Sequence, residues 1–345
     1  MKQLNLFLMF FKIILFSGIL VATASARAEL KVVTTIKPLH SLIANVMDGV
    51  GEPDLIIDGS ISPHSFTMKP SHAKLLEEAD LIFWIGEGIE TSMEEPLETI
   101  AKNAEVIEFM ELDSIAKLKF REESIFGDHD DHDDHDDHDD HDDHDDHDDH
   151  DDHDDHDDHD DHDDHDDHSG HDDHGHAHGE FDAHIWLDPM NAKEMVHEIA
   201  HELSDLDPAN KDKYEANAQA TIQALDQLVK DIEKEINKDA KFVVFHDAYQ
   251  YFEERFETRA AGALTLNTDV LPGAKQIADI QDVIKDRGIK CIFSEPQFNP
   301  KIITTIAEDM NIKTGVFDPL GANIDSNKDL YFKLIQNLGN ELKGC

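Results

Sequence analysis

The chain has 345 residues, and its 78 acidic side chains outnumber its 29 basic ones, which gives a formal charge of -49 with histidine counted neutral. Phosphate binding needs a cationic surface, so this balance argues against nucleic acid as a partner and favours cations. With 25 histidines and only two cysteines, the composition points to imidazole and carboxylate ligands rather than to a cysteine-built zinc site.

The N-terminus predicts an export signal. Lys2 precedes an apolar run at 13–24 and a small-residue site at 26–28, so residues 1–28 are expected to be removed after Ala28. The run has 12 residues, whereas a membrane-spanning helix takes roughly 20. No cysteine follows it that could carry a lipid. We therefore expect an exported periplasmic protein without a membrane anchor.

Apolar segments rich in Val, Ile and Phe alternate with helical patterns in the first half of the mature chain. The predicted strands are 30–36, 54–58, 80–86 and 105–112. The helical patterns between them are 41–50, 71–79 and about 93–102, and Pro38 and Ser71 are the signals that open the first two. Such alternation predicts a parallel sheet with helices on both faces.

A second alternating set follows two predicted helices. The first of these helices covers 190–203, and the second begins with Asp207 as cap and Pro208 in its first turn. The second set has strands at 241–247, 261–266, 289–295 and 313–319 and helices at 248–256, 274–286, 300–309 and 327–342. We expect an α/β protein of two similar lobes, 29–206 and 241–345, joined by one long rigid backbone helix within 207–240, with the ligand in the crevice between the lobes.

A tract of 51 residues, 128–178, interrupts the first lobe with 29 Asp and 18 His and without any Lys or Arg. From His129 to His168 it repeats His-Asp-Asp and contains no apolar residue, so nothing in it can be buried to offset the entropy of ordering. The composition predicts a disordered loop that binds metal ions weakly at many sites, as a zinc collector or sensor. The alternative is a solvated insertion that only adds charge. Its candidate ligands include His129, His132, His135, His168, His171, His174, His176 and His178.

Seven histidines lie outside the tract, and three of them follow predicted strands or open a conspicuous segment. His246 ends a strand, His64 lies in the loop after another, and His184 opens the segment HIWLDP. Asp318 follows the strand TGVF as a matching carboxylate. Neutral imidazole is a preferred zinc ligand, and three imidazoles with a carboxylate or water form a tetrahedral site.

The combination of these segments resembles a known family. PHSFTMKPSHAKLLEEADLIFWIGEGIE, the His/Asp loop, HIWLDP, VFHDAYQYF, FSEPQFNP and DPLG occur in the same order in the periplasmic zinc-binding protein of the high-affinity zinc ABC importer, a ZnuA-type metal-binding solute receptor. The resemblance covers essentially the whole mature chain. It implies a monomer that catalyses no reaction, binds Zn²⁺ as cargo and delivers it to a membrane ABC permease. Its implied ligands are His64, His184 and His246, with Asp318 or water fourth.

The residue at the third ligand position indicates which metal ion the protein binds. Related manganese receptors resemble this chain but have a carboxylate where this sequence has His246. Three imidazoles favour zinc, whereas manganese prefers more oxygen. Zinc is the expected cargo, and a receptor for manganese or another divalent metal of the same family is the alternative.

One motif favours a different class of protein. His197-Glu198-Ile199-Ala200-His201 matches H-E-x-x-H, in which two histidines on one helix face bind zinc and the glutamate acts as base. The longer form of the motif is absent, since Ser204 and Asp207 occupy the positions of its glycine and third histidine. A zinc hydrolase is therefore the less favoured alternative. We expect the motif to form a charged, solvent-exposed face of its helix.

The two cysteines, Cys291 and Cys345, are expected to form a disulfide. After export to an oxidising compartment they can pair, and the family resemblance also supports the bridge. It would close a loop of 54 residues, for which chain entropy credits roughly 4 kcal/mol.

Overall fold

A computed structural model describes residues 30–127, 180–266, 268 and 272–345. Its named strands form two four-stranded parallel sheets. The first sheet contains β1 (Val32–Ile36), β2 (Asp54–Ile57), β3 (Leu81–Trp84) and β4 (Glu105–Glu108), in the order β2-β1-β3-β4. The second contains β5 (Phe242–His246), β6 (Ala263–Thr265), β7 (Cys291–Ser294) and β8 (Lys313–Val316), in the order β6-β5-β7-β8. The two sheets thus repeat one topology, as predicted.

Ten helices accompany these strands in the described part of the chain. They are α1 (Lys37–Val46), α2 (Pro70–Glu78), α3 (Glu87–Glu90), α4 (Glu94–Thr99), α5 (Pro189–Leu206), α6 (Lys211–Glu235), α7 (Gln250–Phe256), α8 (Ala274–Asp286), α9 (Lys301–Met310) and α10 (Leu330–Leu342). Every residue of β1 and β5 is buried, because helices and neighbouring strands cover both faces of each sheet.

Several helices differ from the sequence predictions at their ends. α1 begins at Lys37, with Pro38 in its first turn as predicted, but it ends at Val46 rather than 50. The helix predicted at 93–102 is present but shorter, since α4 covers only Glu94–Thr99 and a 3₁₀ turn at Thr91–Met93 precedes it.

The long helix α6 begins at Lys211, so the predicted start with Pro208 in its first turn is wrong. The Asp207 carboxylate instead accepts hydrogen bonds from Asn210 and from the Tyr214 hydroxyl, at 2.6 and 3.1 Å, and stabilises a turn before the helix. α6 has 25 residues, which corresponds to roughly 37 Å. Its role as a rigid connector between two lobes, with the boundaries given above, remains a prediction.

The last helix of the chain packs against the first. α10 contacts α1, and Ser41 Oγ of α1 accepts the backbone N–H of Tyr331 at 3.1 Å. The Tyr331 hydroxyl donates to the Trp186 carbonyl at 2.7 Å, and the indole N–H of Trp186 donates to the Pro319 carbonyl at 2.8 Å. One continuous apolar cluster therefore includes buried side chains from both sheets.

A disulfide joins Cys291 of β7 to Cys345. The predicted bridge is confirmed. It fixes the end of the chain beside the second sheet, whose outer strand β8 is its most exposed strand.

Candidate metal centre

Three chain segments that are distant in sequence bring imidazoles into one small cavity. His246 is the last residue of β5, at the carboxyl end of a buried parallel strand. His64 lies in the 3₁₀ turn Pro63–Ser65 after β2, and His184 directly precedes the 3₁₀ turn Ile185–Leu187. All three side chains line the same cavity.

The three imidazoles lie within shared coordination reach. One ring nitrogen from each of His64, His184 and His246 lies within 4.8 Å of those of the other two. The ring centroids are 5.5 Å apart for the pairs that include His64 and 4.9 Å apart for His184 and His246. His184 and His246 are each only 4 % exposed, and His64 is partly exposed. The arrangement can hold one divalent ion, with His64 on the open side.

A buried carboxylate lies behind His184. The Oδ1 atom of Asp182 is 2.6 Å from His184 Nδ1, and the same oxygen accepts the backbone N–H of His184 at 3.0 Å. The other oxygen of Asp182 accepts the side-chain amide of Gln250 at 2.7 Å. With Nδ1 engaged by Asp182, Nε2 is the nitrogen of His184 that remains for a metal ion.

A second buried carboxylate faces His246. The Oε1 atom of Glu295 is 3.5 Å from His246 Nδ1, and Glu295 is 3 % exposed and lines the cavity. Burial lowers the pKa of His246, but the neighbouring carboxylates, led by Glu295, outweigh burial and leave this pKa above its usual value. Protons therefore compete with a metal ion for this imidazole up to a higher pH than they would for an ordinary histidine.

An ion cluster supports the end of β5. The guanidinium of Arg121 donates to Asp247 at 2.9 Å and to Glu253 at 2.6 Å, and both carboxylates are buried. Burial raises the pKa of Asp247 to about 7, although Arg121 favours its charged form. Arg121 is therefore held at the end of β5, next to His246, whereas Ile125 and Phe126 further along the same segment pair with Gly262 and Ala261 before β6.

The structure does not bring Asp318 into the group of three histidines. Its two carboxylate oxygens accept the backbone N–H groups of Leu320, Gly321 and Ala322 at 2.7–3.1 Å. One of them also accepts the amide of Gln297 at 3.1 Å. The carboxylate stabilises the loop after β8, and its role as a fourth ligand remains a prediction.

The two carboxylates nearest the imidazoles, Asp182 and Glu295, were not predicted from the sequence. Asp182 stands two residues before His184, and Glu295 ends the segment IKCIFSE. Proximity in sequence was the only signal for Asp182. Glu295 lies in FSEPQFNP, one of the segments that carry the resemblance, but its position after a strand alone does not distinguish it from other glutamates.

The H-E-x-x-H helix forms a different arrangement. Ligand atoms of Glu198, His201 and Glu202 lie within 4.8 Å of one another, but His197 belongs to no such group among the described residues. His201 is exposed, and its Nδ1 is 2.9 Å from Glu202. The hydrogen bond with Glu202 raises the pKa of His201, which is typical of an ion pair at a helix surface.

The predicted low-affinity ligands, from His129 to His178, and the predicted export signal lie outside the described residues. In the described ranges, no helix combines the length and the apolarity needed to cross a membrane.

The two parallel sheets have the same topology, and a cavity lined by three histidines lies between them. This is the architecture of a two-lobed α/β receptor for a small ligand. Residues 32–345 match the sequence model of the family ZnuA, described as zinc-uptake complex component A, periplasmic. The chain belongs to this family.

Similar proteins agree with this assignment. The chain is 48 % identical over 316 residues to the high-affinity zinc uptake system protein ZnuA of Brucella abortus, and the match covers 91 % of each chain. It is 38 % identical to the protein of the same name from Haemophilus influenzae, with 97 % of this chain and 98 % of the other covered. A crystal structure of ZnuA shares the fold with a TM-score of 0.66 at 21 % identity, covering 90 % of this chain and 98 % of that one.

Proposed function

We propose that this protein captures Zn²⁺ in the periplasm and delivers it to an ABC-type import permease. The observation that carries the proposal is the convergence of His64, His184 and His246, whose ligand atoms lie within 4.8 Å of one another. Three imidazoles suit zinc better than manganese, which prefers a larger share of oxygen ligands. Family membership and the zinc-uptake names of similar proteins support the same role.

Zinc is the cargo in this proposal, and the protein catalyses no reaction. The cavity is small and its three imidazoles are largely enclosed, which suits tight holding of an ion more than access of a substrate. The hydrolase alternative gains no support from the H-E-x-x-H helix, because His197 is not gathered with Glu198 and His201. The fourth ligand in this proposal is water or Asp318.

The His/Asp tract is proposed to collect zinc with lower affinity near the mouth of the cavity. Asp182, which contacts His184, lies four residues after His178, so the C-terminal end of the tract is close in sequence to a proposed ligand. Deleting 128–178 is expected to lower the number of bound zinc ions and leave the tightest site unchanged. Calorimetric loss of the tight site on deletion would contradict this division.

The decisive experiment measures delivery as well as binding. Cells that lack the chromosomal copy are complemented with the wild-type chain, with a His64→Ala, His184→Ala and His246→Ala triple variant, or with a matched His197→Ala and His201→Ala double variant. Uptake of radioactive zinc under zinc limitation is expected with the wild type and the double variant, and not with the triple variant. Equal uptake by all three strains would refute the proposed function.

The metal is tested on purified chains. Competition with chelators of known affinity is expected to give a much smaller dissociation constant for Zn²⁺ than for Mn²⁺. A preference for Mn²⁺ would favour the alternative receptor for manganese.

A further inference from the structure

We propose that Asp182 is a positioning residue for zinc capture, because its buried carboxylate fixes the tautomer and the orientation of His184. The inference rests on the proposed function and adds to it a residue that does not itself contact the ion. In this arrangement His184 keeps its proton on Nδ1, donates it to Asp182, and directs the lone pair of Nε2 into the cavity.

The contacts of Asp182 leave its carboxylate little freedom. The residue is 0 % exposed. Oδ1 accepts from both the ring Nδ1 and the backbone N–H of His184, at 2.6 and 3.0 Å, so a single oxygen holds the side chain and the main chain of the same residue. Oδ2 accepts the Gln250 amide at 2.7 Å. Both oxygens therefore have defined directions.

The backbone of Asp182 is held equally firmly. Its N–H donates to the Leu118 carbonyl at 2.8 Å, and its own carbonyl accepts the Tyr251 hydroxyl at 2.6 Å. The Tyr251 hydroxyl in turn accepts the Leu118 N–H at 2.9 Å. Gln250 and Tyr251 belong to α7, which follows the strand that carries His246. The orientation of one proposed ligand is thus set by residues adjacent in sequence to another.

The chemistry of the pair explains why this matters. A neutral imidazole has one N–H and one lone pair, and the hydrogen bond to a carboxylate decides which nitrogen carries which. A carboxylate acceptor also makes the opposite nitrogen a more basic ligand and restricts rotation of the ring. Replacing such an outer carboxylate typically costs 10–100-fold in metal affinity.

Glu295 provides an internal comparison. It faces Nδ1 of His246, but at 3.5 Å instead of 2.6 Å. That separation is at the limit of a hydrogen bond, so Glu295 constrains its imidazole less than Asp182 does. We therefore expect Asp182 to have the larger effect on zinc affinity.

The test uses the full-length chain, with zinc below one equivalent and a competing chelator, so that the tract contributes little to the signal. Asp182→Ala is expected to raise the zinc dissociation constant by about 10–100-fold. Asp182→Asn keeps an acceptor oxygen without the charge, so its expected loss is smaller. Unchanged affinity in both variants would overturn the proposal.

A second readout reports the tautomer itself. In ¹⁵N-histidine-labelled protein loaded with one zinc, the His184 ring is assigned by comparison with His184→Ala. Its two-bond correlations are expected to show a proton on Nδ1 and the metal on Nε2. Metal on Nδ1 of His184 in the wild type would overturn the proposal whatever the affinities are.

Asp188 is the matched control for a purely structural effect. It is another buried carboxylate, 5 % exposed, which caps α5 and pairs with Arg255 at 2.7 Å. Asp188→Asn is expected to lower thermal stability and to leave the His184 tautomer and the zinc affinity near those of the wild type. An equal loss of affinity in Asp188→Asn and Asp182→Asn would reduce Asp182 to a fold-stabilising residue.

His184→Ala separates the two hypotheses. If it abolishes tight binding while both Asp182 variants behave as the wild type, the positioning role fails and the proposed function survives. If His184→Ala itself leaves tight binding intact, the proposed function fails at its ligand set.

Discussion

The cavity histidines and the histidines of α5 contain the same chemical groups in different physical settings. In the cavity, imidazoles from three distant segments converge, and carboxylates lie behind two of them. On α5, His201 is exposed and paired with Glu202 of the same helical turn. His201 and Glu202 are neighbours in sequence and form an exposed ion pair. The three cavity histidines are distant in sequence, and the fold brings them together in an enclosed set of candidate ligands. Burial and convergence, more than motif spacing, distinguish the candidate centre.

The largest expected effect on zinc binding contrasts one imidazole from each region. His246→Ala should raise the zinc dissociation constant by roughly 100–1000-fold, because the 10–16 kcal/mol typical of a four-ligand zinc site corresponds to about 3 kcal/mol per ligand. His201→Ala should change it by less than about twofold. Chelator competition on both purified variants measures the two dissociation constants. Similar losses of zinc affinity in both variants would contradict the different roles of the cavity and the α5 histidines.

The next effect is on stability and should leave the cavity untouched. Replacing Cys291 and Cys345 together by serine is expected to lower the free energy of unfolding by roughly 4 kcal/mol, since the disulfide closes a 54-residue loop. Neither cysteine lines the cavity, so zinc affinity should stay within about twofold of the wild type. Denaturant unfolding and chelator competition give the two numbers. A variant that keeps its stability but loses zinc would show that the bridge acts on the centre.

Buried Glu90 predicts a pH effect that an exposed carboxylate would not show. Burial raises the pKa of Glu90 to about 7, although the backbone N–H groups of Ile85 and Gly86 donate to it. Because the pKa of Glu90 is raised in the folded protein, Glu90 contributes fully to the free energy of unfolding below its unfolded pKa, near 4.5. This contribution is lost as the pH rises through about 7. The size of the loss is about 3 kcal/mol. Glu90→Gln should show a flatter dependence of unfolding free energy on pH between 4.5 and 8, and identical curves would contradict the shift.

Proton titration sharpens the contrast between His246 and His201. The pKa of each is raised, by carboxylates that outweigh burial at His246 and by the Glu202 hydrogen bond at His201. Both should therefore titrate above the ordinary histidine value in zinc-free protein. One equivalent of zinc should abolish the titration of His246 and leave that of His201 unchanged, as followed by histidine NMR. Loss of both titrations would indicate that zinc also occupies the helix.

The smallest expected effect concerns Glu202. Glu202→Gln removes the charge that pairs with His201, so the pKa of His201 should fall towards its ordinary value. The free energy of unfolding should change by less than about 1 kcal/mol, because the partner His201 is exposed and the isosteric glutamine preserves the packing of Glu202, which is 8 % exposed. Zinc affinity should not change. A marked loss of zinc in this variant would assign the α5 group a role in capture.

The sequence was informative where local chemistry decides the structure. The strands were predicted within a few residues, because their apolar runs are short and bounded by polar turns. Strand-end placement together with the family resemblance identified His64, His184 and His246, and the structure brings these three side chains together. Their role as ligands remains a prediction.

Tertiary contacts account for what the sequence did not predict. The amphipathic pattern of α10 predicts a buried face but not that α1 is its neighbour. The turn before α6 depends on side-chain hydrogen bonds to Asp207, which compete with an earlier helix start at Pro208. The assignment of Asp318 as a ligand followed from its position after a strand, but its carboxylate caps the backbone of its own loop.

The packing of α10 on α1 has a consequence for the order in which the chain matures. A polypeptide emerges from the ribosome with its N-terminus leading. Until residue 330 and those beyond it are available, the apolar face of α1 has no α10 to cover it. Nascent chains that stop short of this helix should accordingly remain sensitive to proteases, and protection should arrive late and over a narrow range of chain lengths.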